Sequence, residues 1–118
     1  MQTFLPYENF TQSLDCLDKK RCLKQAVEAY QLIKGLQSPH TFGYRNHPAF
    51  KMWLGYKDAL TKYHNICLHI NKEKYKVNFV KLSAIPEQNS VLYPKWLGKE
   101  SVHNSHKSNL LRKDKVFY

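Results

Sequence analysis

A chain of 118 residues can bury roughly two-thirds of the surface that its unfolded form exposes, so one compact domain over 1–118 is expected, with no disulfide framework needed to hold it. Nineteen lysines and arginines against nine aspartates and glutamates give a net charge of +10, which favours a polyanionic partner. Nucleic acid stands ahead of an anionic membrane here, because the basic residues are spread along the chain rather than gathered on one helix face.

The opening "MQTFLPYENF" lacks the basic and apolar regions of a signal peptide, and no run approaches eighteen apolar residues, so a soluble cytoplasmic protein with no membrane association is expected. A short helix is expected from about Glu8 to Cys16. The stretch "LDKKRCLKQAVEAYQLIKGL" reads as the first long helix, capped by Asp18, with Leu23, Val27, Tyr30 and Ile33 as its buried stripe. Gly35 and Pro39 mark its end. A second long helix starts at "NHPAF", with Asn46 or His47 as cap and Pro48 in the first turn. Trp53, Tyr56, Leu60, Tyr63, Cys67 and Ile70 keep a 3-4 spacing along it, which makes one continuous helix the expectation and a close packing contact the reason for Gly55. Residues 76–94 read as a connecting loop. A third, shorter helix from about Lys99 to Lys113 turns Val102, His106, Leu110 and Leu111 inward. The fold class is therefore all-α: two long packed helices, a shorter C-terminal helix and an irregular connection.

Three clusters carry chemistry. Arg21, Lys24, Gln25 and Glu28 share adjoining parts of one helix face. Either they form a surface ion-pair cluster, or Glu28 is a general acid/base inside a phosphate-binding groove. Arg45, Asn46 and His47 precede a helix start, where capping and anion binding are both served. In "VHNSHKSNLLRK", His103 and His106 lie at i,i+3 but complete no zinc motif, while Ser105, Ser108, Arg112 and Lys113 suit phosphate contacts. His64 and His69 read as structural, and Trp96, beside Lys95 and outside the periodic helices, is the candidate for stacking on a base. Cys16, Cys22 and Cys67 form no C-x-x-C pair, which argues against structural zinc and for a reducing compartment.

The segments "LDKKRCLKQAVEAYQLI", "YRNHPAFKMWLGYKDALTKYHNICLHI" and "PKWLGKESVHNSHKSNLLRKD", in this order and covering well over half the chain, resemble the pyrimidine-dimer DNA glycosylase/endonuclease V family, most closely its small bacterial and viral members. The resemblance implies a helical repair enzyme that binds damaged double-stranded DNA, attacks the sugar C1′ with its N-terminal α-amine, and breaks the glycosidic bond and then the phosphodiester through an imine. It calls for no metal, cofactor or obligate protein partner. Glu28 matches the family's catalytic carboxylate, with Arg21 and Lys24 beside it as substrate contacts. The phage member of the family carries threonine directly after its initiator methionine. Here the second residue is Gln2, so Met1 is expected to stay, and the catalytic amine is that of Met1, is absent, or is made by cutting before Thr3. Two other readings keep the same groove: a non-catalytic nucleic-acid-binding protein, and an enzyme for a nucleotide or other phosphorylated small molecule.

Overall fold

The computed structural model describes residues 3–38, 43, 47–77, 79, 82–87 and 91–113, without the Lys113 side chain. Among these residues are five helices and no strand: α1 (Phe10–Asp15), α2 (Lys19–Gln37), α3 (Pro48–Trp53), α4 (Lys57–Tyr75) and α5 (Glu100–Lys113). The fold is all-α, with the long helices α2 and α4 packed on each other at its centre.

Helix starts follow local chemistry. Asn9 caps α1 through its Oδ1, which accepts the Gln12 N–H at 2.9 Å. His47 caps α3 through Nδ1, which accepts the Ala49 N–H at 3.1 Å, and Pro48 follows in the first helical position. Asp18 occupies the N-cap of α2 but makes no cap bond; its carboxylate accepts from Arg21 Nη1 at 3.0 Å.

The buried face of α2 differs from the expected stripe. Cys22, Ala26, Ala29, Leu32 and Ile33 are buried, whereas Val27 is 41% exposed and Leu23 and Tyr30 are only half-buried. Small side chains at 22, 26 and 29 let α2 lie close against the bulky Leu60, Tyr63 and Ile70 of α4, so large residues face small ones. The helix is thereby rotated by about one residue, or 100°, from the face its largest apolar residues mark.

The expected second helix is two helices. The chain leaves the helical conformation at Leu54 and turns through Gly55 at φ +86°, a left-handed backbone that L side chains rarely adopt. A Cβ on Gly55 would meet nothing within 4 Å, so backbone conformation rather than close packing calls for glycine there. Trp53 on α3 and Leu60, Tyr63, Cys67 and Ile70 on α4 still enter one core.

Helix α5 is anchored by buried Leu110 and His103, with Val102 and His106 half-buried. Leu111 is 45% exposed, which corrects its expected inward position. Gly98, just ahead of α5, has φ +90°, and a Cβ there would come within 3.1 Å of Glu8 Oε1. Among the described residues no helix is long and apolar enough to cross a membrane.

Candidate active site

The N-terminal segment Thr3–Leu5 is buried, and every helix that carries an anticipated functional residue reaches it. Aromatic rings form its backing. Trp53 packs edge-on to Trp96 at 5.2 Å and tilted to Tyr63 at 6.0 Å, and Phe10 packs edge-on to both Trp53 and Tyr63. Trp53 Nε1–H donates to Thr3 Oγ1 at 3.0 Å. From α2, Gln25 Oε1 accepts the Phe4 N–H at 3.0 Å and a short hydrogen bond from the Tyr63 hydroxyl, and Gln25 Nε2 donates to Glu28 Oε2 at 3.1 Å. The Tyr63 Oη also lies 3.1 Å from the Phe4 carbonyl oxygen. Burial, more than any other influence, lifts the Tyr63 phenol well above its ordinary range, so it remains a donor.

Helix α5 holds the next residue on both sides. The Leu5 N–H donates to His106 Nδ1 at 2.8 Å, and Leu5 O lies 2.7 Å from His103 Nδ1. His103 Nε2 takes the Gly98 N–H at 2.9 Å, and a backbone N–H can only donate. Neutral His103 therefore carries its proton on Nδ1 and donates it to Leu5, whereas neutral His106 carries its proton on Nε2. Burial, reinforced by the neighbouring His103, lowers the His106 pKa below its ordinary 6.5 and favours this neutral form.

Beside this segment lies a cavity of about 270 Å³ lined by Thr3, Phe4, His47, Pro48, Ala49, Met52, Ser105, His106 and Asn109. His47, Ser105 and His106, drawn from two separate sequence clusters, thus meet at one site. Arg112 adjoins it through Asn109, whose Oδ1 accepts from Arg112 Nη2 at 2.7 Å. A larger depression of about 460 Å³, lined by Glu8, Phe10, Lys62, Ile66, Tyr93, Leu97 and three others, contains none of the anticipated residues.

Several anticipated contacts are placed differently. Gln25 is 1% exposed and its amide is engaged by protein groups, so it does not reach a phosphate. His103 is 6% exposed with both ring nitrogens on main chain, which corrects its reading as an anion contact. Arg21 reaches Asp18, its salt-bridge partner at 3.0 Å. Trp96 is half-buried, and its Nε1–H donates to Met52 O at 2.9 Å. Lys24, Ser105 and Ser108 are exposed. Met1, Arg45, Asn46 and the Lys113 side chain lie outside the described residues.

The roles of Thr3, Tyr63 and Asn109 at the site escape sequence reasoning. A signal existed for Tyr63: a tyrosine at a fully buried seam position must satisfy its hydroxyl, and the nearest polar residue of the facing helix is Gln25. Among the described residues no three His, Cys, Asp or Glu side chains gather as metal ligands.

A profile of the pyrimidine dimer DNA glycosylase family matches residues 1–81, which take in the buried N-terminal segment, Gln25, Glu28, His47 and Tyr63. The chain belongs to this family. No curated protein and no solved structure matches it. Membership makes it one of a family of DNA glycosylases, and the matched residues contribute the N-terminal segment, α2, α3 and α4 to the site. The remaining wall, α5, lies beyond them.

Proposed function

We propose that the protein is a repair glycosylase with associated AP-lyase activity, acting on damaged pyrimidines such as pyrimidine dimers in double-stranded DNA. The N-terminal α-amine, here that of Met1, is the nucleophile. An α-amine has a reference pKa of about 7.7–8.0, against about 10.4 for lysine, and is far more often neutral at pH 7. Its nitrogen bonds to C1′ as the C1′–base bond breaks and the base leaves with a proton. Opening of the C1′–O4′ bond gives the imine. Loss of the C2′ proton then expels the 3′ phosphate by β-elimination. Glu28 handles protons in these steps and stabilises positive charge at the sugar. Arg21, Lys24, His47, Ser105, His106, Ser108 and Arg112, with Arg45, Asn46 and Lys113, grip phosphates, and Trp96 packs behind them.

One observation carries this reading: the buried N-terminal segment runs onto the Gln25–Glu28 hydrogen bond and borders the cavity between α3 and α5. Phe4 is only three residues from Met1, a span of at most about 11 Å of extended chain. The test is borohydride trapping on duplex DNA containing an abasic site. A covalent adduct through the native N-terminus, lost in Glu28→Gln, is expected. Salt-sensitive DNA binding without adduct or strand cleavage would instead identify a non-catalytic binder.

A further inference from the structure

We propose that Gln25 is a positioning residue that couples the N-terminal segment to Glu28, so that nucleophile and carboxylate move as one unit. This rests on the glycosylase reading above.

The orientation of the Gln25 amide follows from its neighbours. The Phe4 N–H can only donate, so the amide oxygen must face it, at 3.0 Å. The NH₂ end then points to the Glu28 carboxylate, at 3.1 Å. A reversed amide would oppose N–H to N–H at Phe4 and oxygen to carboxylate at Glu28, two repulsive contacts in place of two bonds. Tyr63, fully buried on α4, donates to the same amide oxygen and excludes rotation. Among the described residues, the titratable groups hydrogen-bonded to the amide are Glu28 on its own helix and Tyr63 on α4, and the N-terminal segment bonds to it through the Phe4 main chain. A buried glutamine with both ends engaged on separate chain segments transmits displacement, because moving Phe4 breaks the bond that aims the NH₂ at Glu28. A misplacement of about 1 Å at a reacting group can cost about a hundredfold in rate.

Gln25→Glu tests this. It retains an oxygen for Phe4 and Tyr63 but sets a second carboxyl against Glu28, and two carboxyls at that distance share a proton. We expect single-turnover trapping on abasic-site duplex to slow by about tenfold to a hundredfold at neutral pH, the acid limb of the pH–rate profile to move upward, and DNA affinity to stay within about twofold. A merely structural glutamine would lower the melting temperature without moving the pH profile. An unmoved profile with the wild-type rate would overturn the proposal. A second measurement needs no variant at position 25: the Gln25 side-chain ¹⁵N–¹H₂ signals of the wild-type protein should exchange slowly and shift with a carboxylate titration that disappears in Glu28→Gln. Fast exchange, or no pH response, would overturn the coupling. Failure of the wild type to form any adduct, with the amide signals behaving as expected, would sink the glycosylase reading and leave the coupling in place.

Discussion

The interface of α2 with α4 contains two buried polar clusters that differ in what they bind together. At one, Cys67 Sγ and Asn71 Nδ2 reach Cys22 O at 3.2 and 3.1 Å, and Asn71 Nδ2 also reaches Cys67 O at 2.9 Å. Every group there belongs to α2 or α4, so the cluster fixes one helix against the other. The hydrogen bond with Cys22, together with burial, raises the Cys67 thiol and holds it protonated. At the other cluster, Gln25 and Tyr63 of the same two helices give their polar groups to a third segment, Phe4, and to Glu28, which is only half-buried. Desolvation penalises a buried polar group unless it is paired. The first cluster leaves Asn71 Oδ1 without a hydrogen-bond partner among the described residues, whereas the second uses its bonds to join the N-terminal segment, through Phe4, to Glu28. Burial of polar groups alone therefore does not mark a site; the segments they connect do.

The largest separation between the two clusters is expected from Glu28→Gln. It should lower the glycosylase and lyase rates by about 10²–10⁴-fold, the range for losing a positioned proton-transfer group, with thermal stability nearly unchanged because the carboxamide still accepts from Gln25. Asn71→Ala should do the reverse. Removing its bonds to α2 and α4 should cost about 2 kcal/mol, roughly 10 °C in melting temperature, and leave the rate of the folded enzyme unaltered. Single-turnover rates and melting curves on the same two proteins check both. A rate loss in Asn71→Ala comparable to that in Glu28→Gln would break the distinction.

Tyr63→Phe falls between them. Its ring still fills the core, but Gln25 Oε1 loses the one proton the Tyr63 hydroxyl donates and the Phe4 N–H loses an acceptor, which should cost about 1–2 kcal/mol. Because Gln25 and Phe4 belong to the cluster at the N-terminal segment, the trapping rate should fall along with the stability. A pure stability loss would place Tyr63 with the Cys22–Asn71 cluster instead.

How much of this was legible in the sequence depends on the kind of signal. Helices α2, α4 and α5 were readable from apolar period, because burial of one face is what makes such helices stable. The break at Gly55 was not. Trp53 and Leu60 are seven residues apart, the same spacing an unbroken helix would give, so a turn that keeps both in one core leaves the period intact. The buried face of α2 is hidden from a reading by side-chain size, because Cys22, Ala26 and Ala29 are buried for being small. Gln25 was placed outward because glutamine is usually exposed. Its partner, the backbone N–H of Phe4, is twenty-one residues away and carries no residue-type signature. His103 and His106 were noticed as a pair, but their targets are the main chain of Leu5 and Gly98, which no side-chain pattern reveals.

The smallest expected effect separates the N-terminal segment from the helix pair by pH. Burial lowers the pKa of His64 below 6.5, as it does for His106. A histidine whose folded pKa is depressed stabilises the fold fully above its unfolded value of about 6.5, and that contribution is lost as pH falls through the folded value, because the unfolded chain binds the proton more readily. Melting temperature should thus be flat above about pH 6.5 and decline below it. His64 is fully buried on α4, and its Nε2 has no hydrogen-bond partner among the described residues. The Ile85 N–H donates to Asn65 Oδ1 at 2.9 Å, so that oxygen is an acceptor and His64 Nδ1, 3.0 Å from it, carries the proton. His64→Leu keeps the volume, discards the orphan nitrogen and should remove part of the acid decline, changing stability at pH 8 by less than about 1.5 kcal/mol. His106 acts elsewhere: charging it puts a proton on Nδ1, against the Leu5 N–H that Nδ1 now accepts. The Leu5 amide resonance should therefore shift on acidification in both wild type and His64→Leu, and stop shifting in His106→Gln. If His64→Leu also silences Leu5, the two histidines titrate as one system, and the N-terminal segment is not held independently of the α2–α4 pair.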